Sequence, residues 1–129
     1  MIKKVIPLIW ILIALTILVA CSGGKDPAVT TVEGYLKALV SQDSNQISSL
    51  SCKTWESQAL MELDSFQAVK ISLEGLSCEK TGSEEDTSLV ICQGKILATY
   101  NEEKQEFDLG VRIYEVIKEG GEMRVCGYR

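Results

Sequence analysis

Val69-Lys70-Ile71-Ser72-Leu73-Glu74 is where this chain changes character. Apolar side chains stand there at every second position, with Lys70, Ser72 and Glu74 between them, the period of a strand with one buried face. Upstream the spacing is helical: Val32, Tyr35, Leu36, Leu39 and Val40 form one stripe fit to lie on a core. Asp26-Pro27 starts that helix, with Asp as cap and Pro at the first helical position, and Gly34 weakens it. Asp43 or Ser44 caps a short second helix bearing Ile47 and Leu50, and a third holds Trp55, Ala59, Leu60 and Leu63.

Downstream the period of two persists. Leu76 and Cys78 stay on the face of Leu73 only if one residue bulges at Gly75. After a polar turn over 81–86, Val90, Cys92, Gly94, Ile96, Ala98 and Tyr100 share one face. After a second turn over 101–104, Phe107, Leu109, Val111 and Ile113 alternate with Asp108, Gly110 and Arg112. Gly120-Gly121 makes a last hairpin turn. The expected elements are helices over 27–42, 45–50 and 55–63, then strands over 66–79, 87–100, 106–118 and 122–128. That is an α+β fold in which N-terminal helices pack on a curved four-stranded antiparallel meander.

The start of the chain reads as a leader. Lys3 and Lys4 precede an apolar run from Val5 to Ala20 that is short for a membrane span. The run closes on Leu18-Val19-Ala20-Cys21, which resembles the bacterial lipobox. That likeness implies removal of residues 1–20, acyl chains on Cys21, a tether over 21–25 and one domain over 26–129. It places the protein outside the cytoplasm, anchored by lipid to a cell or outer membrane.

With Cys21 lipidated, four of the five cysteines remain, an even number suited to disulfides in an exported domain. In a meander that follows the chain, Cys78 and Cys92 face each other across a hairpin, whereas Cys92–Cys126 skips a strand and Cys78–Cys126 crosses the sheet. The remaining pair is Cys52–Cys126, and strict alternation then requires the last strand to twist or bulge at Cys126. A Cys52–Cys78 bridge would demand a different strand order.

The opening helix, Val32-x-x-Tyr35-Leu36-x-Ala38-Leu39, followed by Asp43 and a short helix, resembles the start of NTF2-like (cystatin-like cone) domains. Glu122-Met123-Arg124-Val125 resembles their last strand, where Trp is more usual than Met123. The likeness spans roughly 26–128 and is narrowest to small bacterial lipoproteins of the DUF4878 kind. It implies a cone whose relatives include isomerases, dehydratases and non-catalytic pockets, the enzymes among them using an interior Asp or His with tyrosine partners. Tyr35, Trp55, Tyr100 and Tyr114 are the candidate pocket residues here, and Asp64 an acid that could reach a pocket, but none matches a catalytic motif of the family and each reads equally as a core or rim residue.

The chemistry points away from catalysis. The chain has no histidine, so the side chain best suited to proton transfer near neutral pH is missing, and Ser48, Ser49 and Ser51 have none to activate them. No Cys-x-x-Cys pair suggests zinc, and Glu84-Glu85-Asp86 lacks the spaced ligands of a calcium loop. A formal charge of −5, made more negative by loss of Lys3 and Lys4, disfavours nucleic acid. The expected role is a non-catalytic module without a cofactor, binding a small apolar ligand or an envelope protein; the alternative is a cone-fold isomerase or dehydratase. Mass spectrometry of the native protein is expected to find lipid on Cys21, and Cys21→Ser to leave an unprocessed or mislocalised precursor. A soluble product beginning at Met1 contradicts that reading.

Overall fold

The Asp26 carboxylate accepts a hydrogen bond from the Ala28 backbone N–H at 2.8 Å, satisfying one of the orphan donors at the start of a helix that begins with Pro27. The structure, a computed structural model, describes residues 24–129; Cys21 and the leader lie outside them. Three helices come first, α1 (Pro27–Ser41), α2 (Ser44–Leu50) and α3 (Glu56–Ser65). Asp43 caps α2 by accepting from the Gln46 N–H. An antiparallel, open sheet of five strands follows: β1 (Lys70–Glu84), β2 (Thr87–Tyr100), β3 (Glu103–Asp108), β4 (Ile113–Glu119) and β5 (Glu122–Tyr128).

The helices cover one face of the sheet. From α1, Val32, Tyr35, Leu36 and Leu39 are fully buried, joined by Ile47 of α2 and Ala59 of α3. The sheet answers with Val90, Cys92, Ile96, Val116 and Val125. Burying each such aliphatic side chain contributes about 1.5–3 kcal/mol, so this interlayer contact dominates the stability.

Four differences from the expected elements have local causes. β1 begins at Lys70, not 66, because the Phe66 and Gln67 N–H groups still bond back to Leu63 and Asp64, and Ala68 turns the chain at φ 62°. The turn expected over 81–86 is only Glu85-Asp86, since Glu84 pairs with Thr87 and Glu85 supplies a positive φ of 51°. The turn expected over 101–104 is likewise Asn101-Glu102, both with positive φ, closing Tyr100 against Glu103.

The fourth difference adds a strand. The single strand expected over 106–118 is broken into β3 and β4 by a 3₁₀ turn at Leu109–Val111, where the Asp108 carboxylate accepts from the Gly110 N–H at 2.8 Å. β3 and β4 lie on the same side of β2, pairing with Lys95–Tyr100 and Ser88–Ile91 respectively. Between Lys95↔Asp108 and Ile91↔Ile113, three residues of β2 face four, and the extra one inverts the alternation. Leu109 is buried as expected, but Val111 is 75% exposed, and beyond it Tyr114 and Val116 fill the core in place of Val111 and Ile113.

The bulge expected at Gly75 is present: Glu74 pairs with Lys95 and Ser77 with Gln93, with Gly75 at φ 68°. A second bulge falls at Cys126, which is left unopposed between Glu115↔Gly127 and Val116↔Val125. The Cys52 N–H donates to the Val125 carbonyl at 2.8 Å, laying the α2–α3 connection beside β5. Two disulfides result, Cys52–Cys126 and Cys78–Cys92, with Cα atoms 5.1 and 4.0 Å apart. They close loops of 74 and 14 residues, so loop-closure entropy assigns them about 4 and about 3 kcal/mol. Replacing Cys52 and Cys126 by Ala is therefore expected to lower unfolding free energy in urea more than replacing Cys78 and Cys92, with non-reducing peptide maps showing the same two links. An equal or reversed loss contradicts the assignment.

Candidate functional site

At Ala59 the stripe of α3 is fully buried, and three residues further along the same face carries a carboxylate, Glu62. Across from it, the inverted alternation after the 3₁₀ turn swings Arg112 to the helix side of the sheet, the side of Tyr114 and Val116. Arg112 Nη1 donates to Glu62 Oε1 at 2.9 Å, and the guanidinium carbon stacks 4.1 Å from the Tyr128 ring. The Glu62 side chain is only 12% exposed, and its Oε2 is buried with no hydrogen-bond partner among the described residues.

This pair sits at the wall of a cleft of about 670 Å³ between α3 and the far half of the sheet. Its floor is Ile96, Ala98 and Tyr100 of β2, and Phe107, Leu109 and Val111 continue the lining beside them, Phe107 being paired with Ile96. Phe66, just after α3, meets Phe107 edge to face at 6.0 Å. Three large apolar residues are left open at this cleft: Val111, Tyr100 at 57% and Phe107 at 42% exposure. The lining is mainly apolar by area, with Glu62 and Arg112 at one wall and Ser65, Gln105, Glu106 and Asp108 also on it, the pattern of a small-molecule site.

Of the four pocket residues expected from sequence, only Tyr100 lines the cleft. Tyr35 and Tyr114 are fully buried in the core, their ring centres 6.3 Å apart, and Trp55 and Tyr114 both pack against Tyr128. The Trp55 indole N–H donates to the Tyr35 hydroxyl at 3.3 Å, whereas the Tyr114 hydroxyl is buried without a hydrogen-bond partner among the described residues. Burial, and then the Glu62 charge, pushes the Tyr35 phenol well above its ordinary range. Burial also raises Tyr114, with Arg112 opposing it. Asp64 is exposed and accepts from Gln67 Nε2 on the outside of α3.

Glu62 and Arg112 were missed by the sequence reading. A charge three residues from Ala59 and four before Phe66, on an otherwise apolar face, was the available signal for Glu62. Arg112 had none, because its facing depends on the extra residue of the 3₁₀ turn. Among the described residues no group of His, Cys, Asp and Glu is arranged to hold a metal ion, and no helix is long and apolar enough to cross a membrane.

No family model matches the chain, and no curated protein matches it at a significant level. Its fold is similar to that of the helical cell shape determining protein Pgp2 from Campylobacter jejuni, with a TM-score of 0.51 and 13% identity. The match covers 77% of this chain and 38% of that one, and at such identity the likeness is one of fold alone.

Proposed function

We propose that this protein is a membrane-anchored extracytoplasmic lipoprotein with an NTF2-like cone domain, held by acyl chains on Cys21, whose cleft binds a small apolar ligand without transforming it. The observation behind the binding role is the cleft itself. Val111, Tyr100 and Phe107 leave apolar surface open to water around a cavity, at a cost that burial by a ligand would relieve.

One observation favours the second reading, a cone-fold isomerase or dehydratase. Glu62 is a nearly buried carboxylate close enough to Tyr35 and Tyr114 to act on both electrostatically. Its Oε1 is already engaged by Arg112, however, and no histidine is present to share proton transfer. The binding role is therefore preferred.

Val111→Asp alters a largely exposed side chain and is expected to leave the melting temperature unchanged, whereas Phe107→Asp also removes the edge-to-face contact with Phe66 and is expected to lower it slightly. Each should weaken binding of the neutral dye Nile red to residues 24–129 by about tenfold, as the loss of one buried apolar group implies. Undiminished dye binding in both variants, or no binding by the parent protein, contradicts the reading.

A further inference from the structure

We infer that the cleft takes an uncharged hydrogen-bond donor at its Glu62 wall, so that its ligand is an apolar body ending in a hydroxyl or a primary amide. The inference rests on the binding role proposed above and specifies the ligand's chemistry.

The first reason is an unmet acceptor. Glu62 Oε2 is buried and has no partner among the described residues, although Glu62 lines the cleft. A buried acceptor left without a donor costs about 1–3 kcal/mol, more for a charged group, and a ligand donor would recover it. The terminal torsion of a glutamate is broad and soft, so turning the carboxylate toward a ligand donor costs little.

The second reason is the charge around it. Glu62, Glu106 and Asp108 line the cleft against one cation, Arg112. That cation is engaged by Glu62 and stacked on Tyr128, and nearby Lys95 is held by Glu106 at 3.1 Å. A carboxylate or phosphate head would therefore meet acids with no free positive partner. A cationic head fares little better at that wall, because Arg112 already balances Glu62, Lys95 balances Glu106 and Asp108 Oδ1 already accepts from the Gly110 N–H, so a second cation would lose its hydration against carboxylates that are already engaged. A neutral donor supplies the missing hydrogen bond at the smallest desolvation cost.

The third reason is the shape of the remaining wall. Ile96, Ala98, Phe107, Leu109 and Val111 offer apolar contact, with Ser65 and Gln105 the uncharged polar side chains beside them, so the rest of the ligand is mainly apolar.

The test compares 1-octanol, octanamide, octanoate and octylamine by isothermal titration with the full-length chain in lipid nanodiscs, empty discs being subtracted. Octanol and octanamide are expected to bind at least about tenfold more tightly than octanoate and octylamine. Glu62→Gln, which keeps the shape and removes the charge, should reduce that preference while leaving binding measurable. The comparison among ligands uses the unmodified protein, so it decides the question even where the Glu62→Gln chain fails to fold. Equal binding of all four compounds, or preference for octanoate or octylamine, overturns the inference and leaves the cleft a binding site. Binding of none of them overturns the binding role itself.

Discussion

The sheet depends on a backbone approach that only glycine permits, at Gly94 of β2. Its φ is 107°, and a Cβ there would lie 2.6 Å from the Glu74 carbonyl oxygen and 2.7 Å from that of Gly75. Lys95, the next residue, pairs on one side with Glu74 and on the other with Asp108. Just past that row both neighbouring strands carry an extra residue, β1 at Gly75-Leu76 and the β3–β4 connection at the 3₁₀ turn. Bulges bend strands and increase their twist, and here two of them flank one position of the central strand. On one side of that row, Val90 and Cys92 of β2 join the core with the buried residues of α1; on the other, Ile96, Ala98 and Tyr100 form the cleft floor with β3 beside them.

The cleft follows from this arrangement. The extra residue opposite Gly94 turns Arg112 toward the helices, where it meets Glu62, and leaves Val111 exposed at the cleft. α3 covers the floor only in part, because the chain turns away at Phe66–Ala68 to enter β1. Tyr100 and Phe107 therefore stay half open. At the other end of the helical layer, Cys52–Cys126 and the Cys52 N–H to Val125 bond fasten the α2–α3 connection to β5. A covalent tie at one side and an open cleft at the other belong to the same two-layer packing.

Much of the framework was legible in the sequence. Asp26-Pro27 and Asp43 mark helix starts by a mechanism that leaves little room for tertiary override, and Gly75 had to bulge for Leu73 and Cys78 to share a face. The conflict between the parity of Cys126 and its bridge to Cys52 foretold the last bulge. What was not legible is the turn at Leu109–Val111. Phe107, Leu109, Val111 and Ile113 alternate without a break, and the only local cue is Asp108 two residues before Gly110, where the Asp side chain can take a backbone N–H. Misreading that one residue moved Arg112 to the solvent side and hid its meeting with Glu62. Tyr35 and Tyr114 do not reach the cleft for another reason: they are large enough to fill the space between layers themselves, and they do.

The stability of Gly94→Ala, measured by urea unfolding beside Gly82→Ala, tests this dependence most directly. Gly82 lies at another register shift of β1, but a Cβ there meets nothing within 4 Å and its φ is not in the left-handed range. The predicted result is a loss of about 2–3 kcal/mol or more for Gly94→Ala, from the positive φ and the backbone clash, with Gly82→Ala within about 0.5 kcal/mol of the parent. A Gly94→Ala protein as stable as the parent would contradict the central place given to this close approach.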